Sequence, residues 1–136
     1  NEVEKMKDYI NEIAKKSKAK VTYDGLITGE KYIKFIQSCD IGLSTQNPNA
    51  AFNATSFPSK ILSYMSNGLR VVSIRIPAIE TSAVGGYLYY YDKQTPVQIA
   101  KAILSVDMND KYDSREFIKK LSDNFEKELA ELLERC

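Results

Sequence analysis

Histidine is absent from the 136 residues, and its absence removes more chemistry than any other feature of the composition. Without it there is no Ser-His-Asp or Cys-His nucleophilic scheme, and the commonest metal ligand is missing. Cysteine is nearly absent too. Cys39 and Cys136 stand far apart without a CxxC pair, so neither a zinc site nor a disulfide framework is expected, and reduced thiols follow. No run of 18 apolar residues occurs, and the first residues lack a signal-peptide pattern. An excess of one charge is missing as well: the net charge is +1. A dedicated nucleic-acid surface would gather a basic excess on one face, so no nucleic-acid partner is expected.

What remains is an ordinary soluble composition, 43% hydrophobic and 27% charged, in a chain long enough for one domain with a real core. Val3, Met6, Ile10, Ile13 and Ala14 repeat at helical spacing between Lys and Glu, predicting an amphipathic helix that ends near Ser17. Val21-Thr22-Tyr23 predicts a strand closed by a turn at Asp24-Gly25. Tyr32, Ile33, Phe35 and Ile36 suit a short helix, and Ile41 to Ser44 a buried strand. Gln46 to Ser56 is a polar loop. The helix that follows has Pro58 near its first position, Ile61, Leu62 and Met65 on its apolar side, and Gly68 where a terminating glycine belongs. Val71 to Ile74 predicts a third strand and Tyr87 to Tyr91 a fourth, with a loop between them. In a strand Tyr89, Tyr90 and Tyr91 alternate between faces, so core plus surface fits them better than a stacking platform. Thr95, Pro96 and Gln98 make a helix start with a capping box, running to about Val106. Asp113 or Ser114 opens a last helix bearing Phe117, Ile118, Leu121, Phe125, Leu129, Leu132 and Leu133.

Strands alternating with helices in this order predict an α/β fold, a Rossmann-like parallel sheet with helices on both faces. The ligand of such a sheet sits at the carboxyl ends of its strands, where strand order reverses. Three loops qualify: Asp24 to Glu30, Thr45 to Phe57, and Arg75 to Gly86. The second leads straight into the helix start at Pro58-Ser59-Lys60, where free N–H groups and the helix dipole favour an anion. Lysine in a first turn, where acids are favoured, fits a bound diphosphate, and Ser56 and Ser59 add hydroxyl donors. The spacing equally allows a plain cap at Ser56 or Phe57 with Lys60 pointing to solvent.

Cys39-Asp40-Ile41-Gly42-Leu43-Ser44-Thr45, followed by Phe57-Pro58-Ser59-Lys60-Ile61-Leu62-Ser63-Tyr64-Met65-Ser66-Asn67-Gly68-Leu69-Arg70-Val71-Val72-Ser73, resembles the C-terminal domain of GT-B retaining glycosyltransferases. These enzymes serve bacterial polysaccharide and lipopolysaccharide assembly. The similarity extends to Val21 to Gly25 and to Tyr87 to Ala102, and it is specific for the family rather than for a substrate. It implies a donor-binding domain whose helix-start amides, at Ser59 and Lys60 with Ser56 beside them, hold the diphosphate of a nucleotide-sugar. The turn at Leu26 and Ile27 would border the nucleobase. Family members often carry two glutamates eight residues apart, one near the donor sugar and one on the ribose; here those positions are Thr55 and Ser63. The usual acid contacts are therefore not expected, while the phosphate site, which relies on backbone and dipole, is. Ser63 reads as a variant ribose contact.

The resemblance implies neither a cofactor nor a metal, and no residue is assigned to catalysis. It also implies that residues 1–136 are a donor-domain fragment, lacking the domain's first strands and the N-terminal acceptor domain, and inactive alone. A glycan or lipid-linked acceptor would reach the enzyme through that second domain. A cytoplasmic site at the inner membrane face, with peripheral membrane association of the full protein, completes the expectation. Two further readings stand beside it. A degenerate, non-catalytic nucleotide-binding α/β module fits the loss of both glutamates, and a GT-B-type nucleotide-sugar epimerase fits less well without histidine.

Overall fold

The computed structural model describes residues 1–49 and 57–135. The chain divides into two compact units, Asn1–Tyr32 and Ile33–Cys136.

In the first unit, α1 (Glu2–Lys16) begins at Asn1, whose side-chain oxygen accepts from the N–H groups of Val3 and Glu4 at 2.8 and 3.1 Å. Acids in the first turn and lysines in the last complement the helix dipole. Ser17 leaves the helix with extended backbone, where the sequence predicts the end. The expected strand at Val21-Thr22-Tyr23 does not form; residues 20–28 have no regular structure. A β-prone run becomes a strand only where a neighbour takes its backbone bonds, and no described strand pairs with it. No turn is assigned at Asp24-Gly25 either, although Gly25 takes φ +75°, which glycine adopts without steric cost. The helix α2 (Gly29–Gln37) then crosses from one unit's sequence into the other.

The second unit holds a three-stranded parallel sheet in the order β1 (Ile41–Ser44), β2 (Arg70–Ile74), β3 (Tyr89–Tyr91). The protein is therefore α/β, consistent with a Rossmann-like arrangement. Among the described residues there are three strands rather than four, and their order shows no reversal. The last strand is shorter than predicted, because Gly85–Tyr87 is a turn of 3-10 helix. One more element was not predicted: α4 (Pro77–Glu80), a single turn with proline at its start, lies in the expected loop.

Between β1 and β2 runs α3 (Ser59–Ser66), which packs on both strands. Its far end is a Schellman motif. Gly68, at φ +86°, donates to the Met65 carbonyl at 3.1 Å, and Leu69 donates to that of Tyr64 at 3.0 Å. Ile61 and Met65 are fully buried with Val71, Val72, Ile74, Ile76, Ile79 and Val84 in one core. After β3, Thr95 accepts from the Gln98 N–H at 3.3 Å and opens α5 (Pro96–Leu104), two residues shorter than expected. The capping box does not close, since the Thr95 N–H donates to the Lys93 carbonyl instead, at 2.7 Å. Asp113 caps α6 (Ser114–Glu134) as predicted. Phe117, Ile118 and Leu121 reach the core, whereas Phe125, Leu129, Leu132 and Leu133 are exposed. Buried Ser114 Oγ ties this helix to α3 by donating to the Met65 carbonyl at 2.8 Å. No described helix is long and apolar enough to cross a membrane.

The pleat fixes how closely α3 approaches. Gly42 and Ser44 point to the same face of β1, and a methyl group added at Gly42 would overlap the Tyr64 ring of α3. Gly42→Ala is expected to lower stability by about 1–3 kcal/mol, the usual range for overpacking. A urea titration of the variant checks this, and an unchanged midpoint would contradict the packing described.

Candidate functional site

The register carries the α3-facing side of the sheet across all three strands. Ser44 pairs with Ser73 and Ser73 with Tyr90, so these three share one face near the carboxyl edge. Both serines are buried, and Ser73 is satisfied by donating to the Ile74 carbonyl at 2.9 Å. Ser44 Oγ has no partner among the described residues. Its height in the fold follows from simple geometry. Gly42 lies under Tyr64, and two strand residues climb about 6.6 Å, which is roughly four residues back along a helix rising 1.5 Å each. Ser44 therefore lies at the level of Lys60, beneath the first turn of α3.

That first turn has no side-chain cap among the described residues. Pro58 stands at the cap position rather than inside the helix, and offers no side-chain bond. Its carbonyl accepts from the Ile61 N–H at 3.1 Å. Among the described residues no acceptor takes the N–H groups of Ser59 and Lys60. Both residues are exposed, and Lys60 forms no ion pair among the described residues. Ser63, half-buried, sits one turn beyond Ser59 on the same side of α3. Ser59, Lys60 and Ser63 are thus brought together. Thr55 and Ser56 lie outside the described residues. Leu26, 93% exposed, and Ile27, half-buried, lie in the first unit, in the irregular stretch before α2.

The other strand ends carry residues that no motif or spacing in the sequence singles out. Arg75, just beyond β2, donates from Nε to Asp92 at 2.9 Å and from Nη1 to Glu80 at 2.8 Å, and stacks over the Tyr90 ring at 4.7 Å. The bond to Asp92 is the main cause holding its pKa above the ordinary arginine value. Two carboxylates already answer this charge, whereas Lys60 has no ion-pair partner among the described residues. Beyond β3, Gln94 donates to the Thr45 carbonyl at 2.5 Å and accepts from Tyr91 OH at 2.8 Å. Burial raises the Tyr91 pKa, keeping that hydroxyl a donor. The bridge fixes the start of the loop after β1, where Gln46 Oε1 is a second buried atom without a partner among the described residues.

Ser44 could have been suspected from its place at the end of an apolar strand. Arg75 opens one of the three candidate loops, but its partners are 5 and 17 residues away, a pairing that spacing does not disclose. A cavity of about 320 Å³, lined by Tyr87, Lys111, Tyr112, Asp113 and Phe117 among others, contains none of the expected site residues. Compared with known proteins, the chain matches no family model, no curated protein and no solved structure.

Proposed function

We propose that the chain is the donor-binding portion of a glycosyltransferase, holding a nucleotide-sugar by its diphosphate at the start of α3. The observation that carries this reading is the first turn at the carboxyl edge of a parallel sheet: two N–H groups without acceptors, and Lys60 without a counter-ion among the described residues. Helix dipole and lysine both favour negative charge there. In the reaction, the bond between the anomeric carbon and the diphosphate oxygen breaks, and the diphosphate leaves with the electron pair. An acceptor hydroxyl bonds to that carbon and loses its proton. Groups fixed in advance around the departing charge stabilise it most where it develops. The similarity of Phe57 to Ser73 to the donor domain of GT-B enzymes supplies the reaction class. The acceptor, glycan or lipid-linked, and work at the inner membrane face belong to the same proposal.

A non-catalytic nucleotide-binding module is the second reading, favoured by Thr55 and Ser63 where that family often has glutamates. Both readings require the anion site, and they part on whether a bound nucleotide-sugar is ever cleaved.

Ligand-observed NMR with UDP, GDP and ADP tests the site. Lys60→Ala is expected to weaken binding about tenfold, one charge-assisted contact's worth, without changing the melting temperature. Equal binding by the variant would remove Lys60 from the account.

A further inference from the structure

The cavity of about 320 Å³ lies at the opposite edge of the sheet from Lys60. Tyr87 closes the 3-10 turn just before β3. The Tyr112 hydroxyl donates to the Leu69 carbonyl, just before β2, at 3.2 Å. Both residues therefore mark the amino ends of parallel strands, whereas α3 begins beyond the carboxyl end of β1. A volume of this size suits a small molecule.

The chemistry of its lining is specific. The Tyr87 and Phe117 rings stack with their centroids 3.9 Å apart, and Tyr87 remains 47% exposed, so a third ring can extend the stack. Around these rings the charges balance: Lys111 and Lys120 face the cavity along with Asp113 and Glu116. Asp113 accepts the Glu116 N–H at 3.2 Å, and a carboxylate has capacity for further donors. Glu116 and Lys120 lie 3.5 Å apart with both side chains well exposed, a pairing weak enough to exchange for a ligand. A ligand of one charge would be attracted by one pair and repelled by the other. A ligand carrying both charges beside a ring is favoured by all of them.

We propose that this cavity binds a free aromatic amino acid as its zwitterion. The ring adds to the Tyr87–Phe117 stack, the carboxylate meets Lys111, and the ammonium meets Glu116. The site is separate from the anion site at α3 and does not depend on it.

The test is an NMR titration of the whole chain with phenylalanine and three analogues, each lacking one part. Phenethylamine lacks the carboxylate, 3-phenylpropanoate the ammonium, and alanine the ring. Phenylalanine should bind at least about tenfold more tightly than each, the equivalent of one charge-assisted hydrogen bond or one ring contact, with the largest amide shifts between residues 111 and 117. Lys111→Gln should level phenylalanine with phenethylamine, whose own binding stays unchanged. Glu116→Gln, which leaves the Asp113 cap in place, should level it with 3-phenylpropanoate. Tyr87→Leu should weaken phenylalanine about tenfold and leave alanine unchanged. Phenylalanine binding no more tightly than any one analogue, or shifting residues away from this cavity instead, would overturn the proposal. So would full affinity in Lys111→Gln or Glu116→Gln, exposed positions where the fold is not at stake.

Discussion

Replacing Gly85 by alanine is expected to cost about 3 kcal/mol of stability, the upper part of the overpacking range. A methyl group there would strike the carbonyl oxygens of Glu80 and Ile79. Both belong to the backbone of α4, so no side-chain rotation relieves the overlap, in contrast to Gly42, whose obstacle is a ring. Gly85 is buried, and its N–H donates to the Ser82 carbonyl at 3.0 Å, closing the turn that delivers the chain to β3. The Tyr90 hydroxyl also donates to the Gly85 carbonyl, at 2.7 Å. The variant would have to move α4, the turn or β3. Chemical denaturation with Gly86→Ala as control measures the effect, because nothing lies within 4 Å of a methyl group at Gly86. Equal midpoints for the two variants would contradict the packing.

Ile61→Ala is expected to lose about 3–4 kcal/mol, and Leu62→Ala less than about 1. The two neighbours are of similar size and share one helix. Ile61 is 0% exposed in the core against β2, whereas Leu62 is 41% exposed. Emptying a buried aliphatic site costs about 2–5 kcal/mol through lost transfer energy and the residual cavity. At an exposed helical position alanine is itself the best helix former and offsets part of the small loss. Ile61 matters to the site as well, because its burial anchors the first turn of α3 over Ser44. Thermal melts of the pair decide the point; comparable losses would mean that α3 does not present the face described.

Those two residues also show why so much of the fold was legible. Ile61 and Met65 are buried and Leu62 is not, so the spacing of apolar residues located the helix and only the rotation of its face needed coordinates. Gly68, Thr95 and Asp113 marked helix ends because each acts on backbone groups a few residues away. Val21 to Tyr23 misled for the converse reason: a strand is defined by its neighbour, and local β-preference supplies none. Pro77 began a helix turn that was too short to show a period. At the site, Lys60 and Ser59 could be read from their place at a helix start. Arg75 could not, since its significance lies in what it touches across the sheet.

The central claim is that the first turn of α3 receives a diphosphate. The most direct measurement is a titration of the isotope-labelled chain with UDP, following backbone amide resonances. The account predicts the largest shifts at the Ser59 and Lys60 amides, moved downfield as each N–H gains a phosphate acceptor, and smaller shifts in the same residues with Lys60→Ala. Binding that leaves both amides unmoved while shifting residues elsewhere would contradict it.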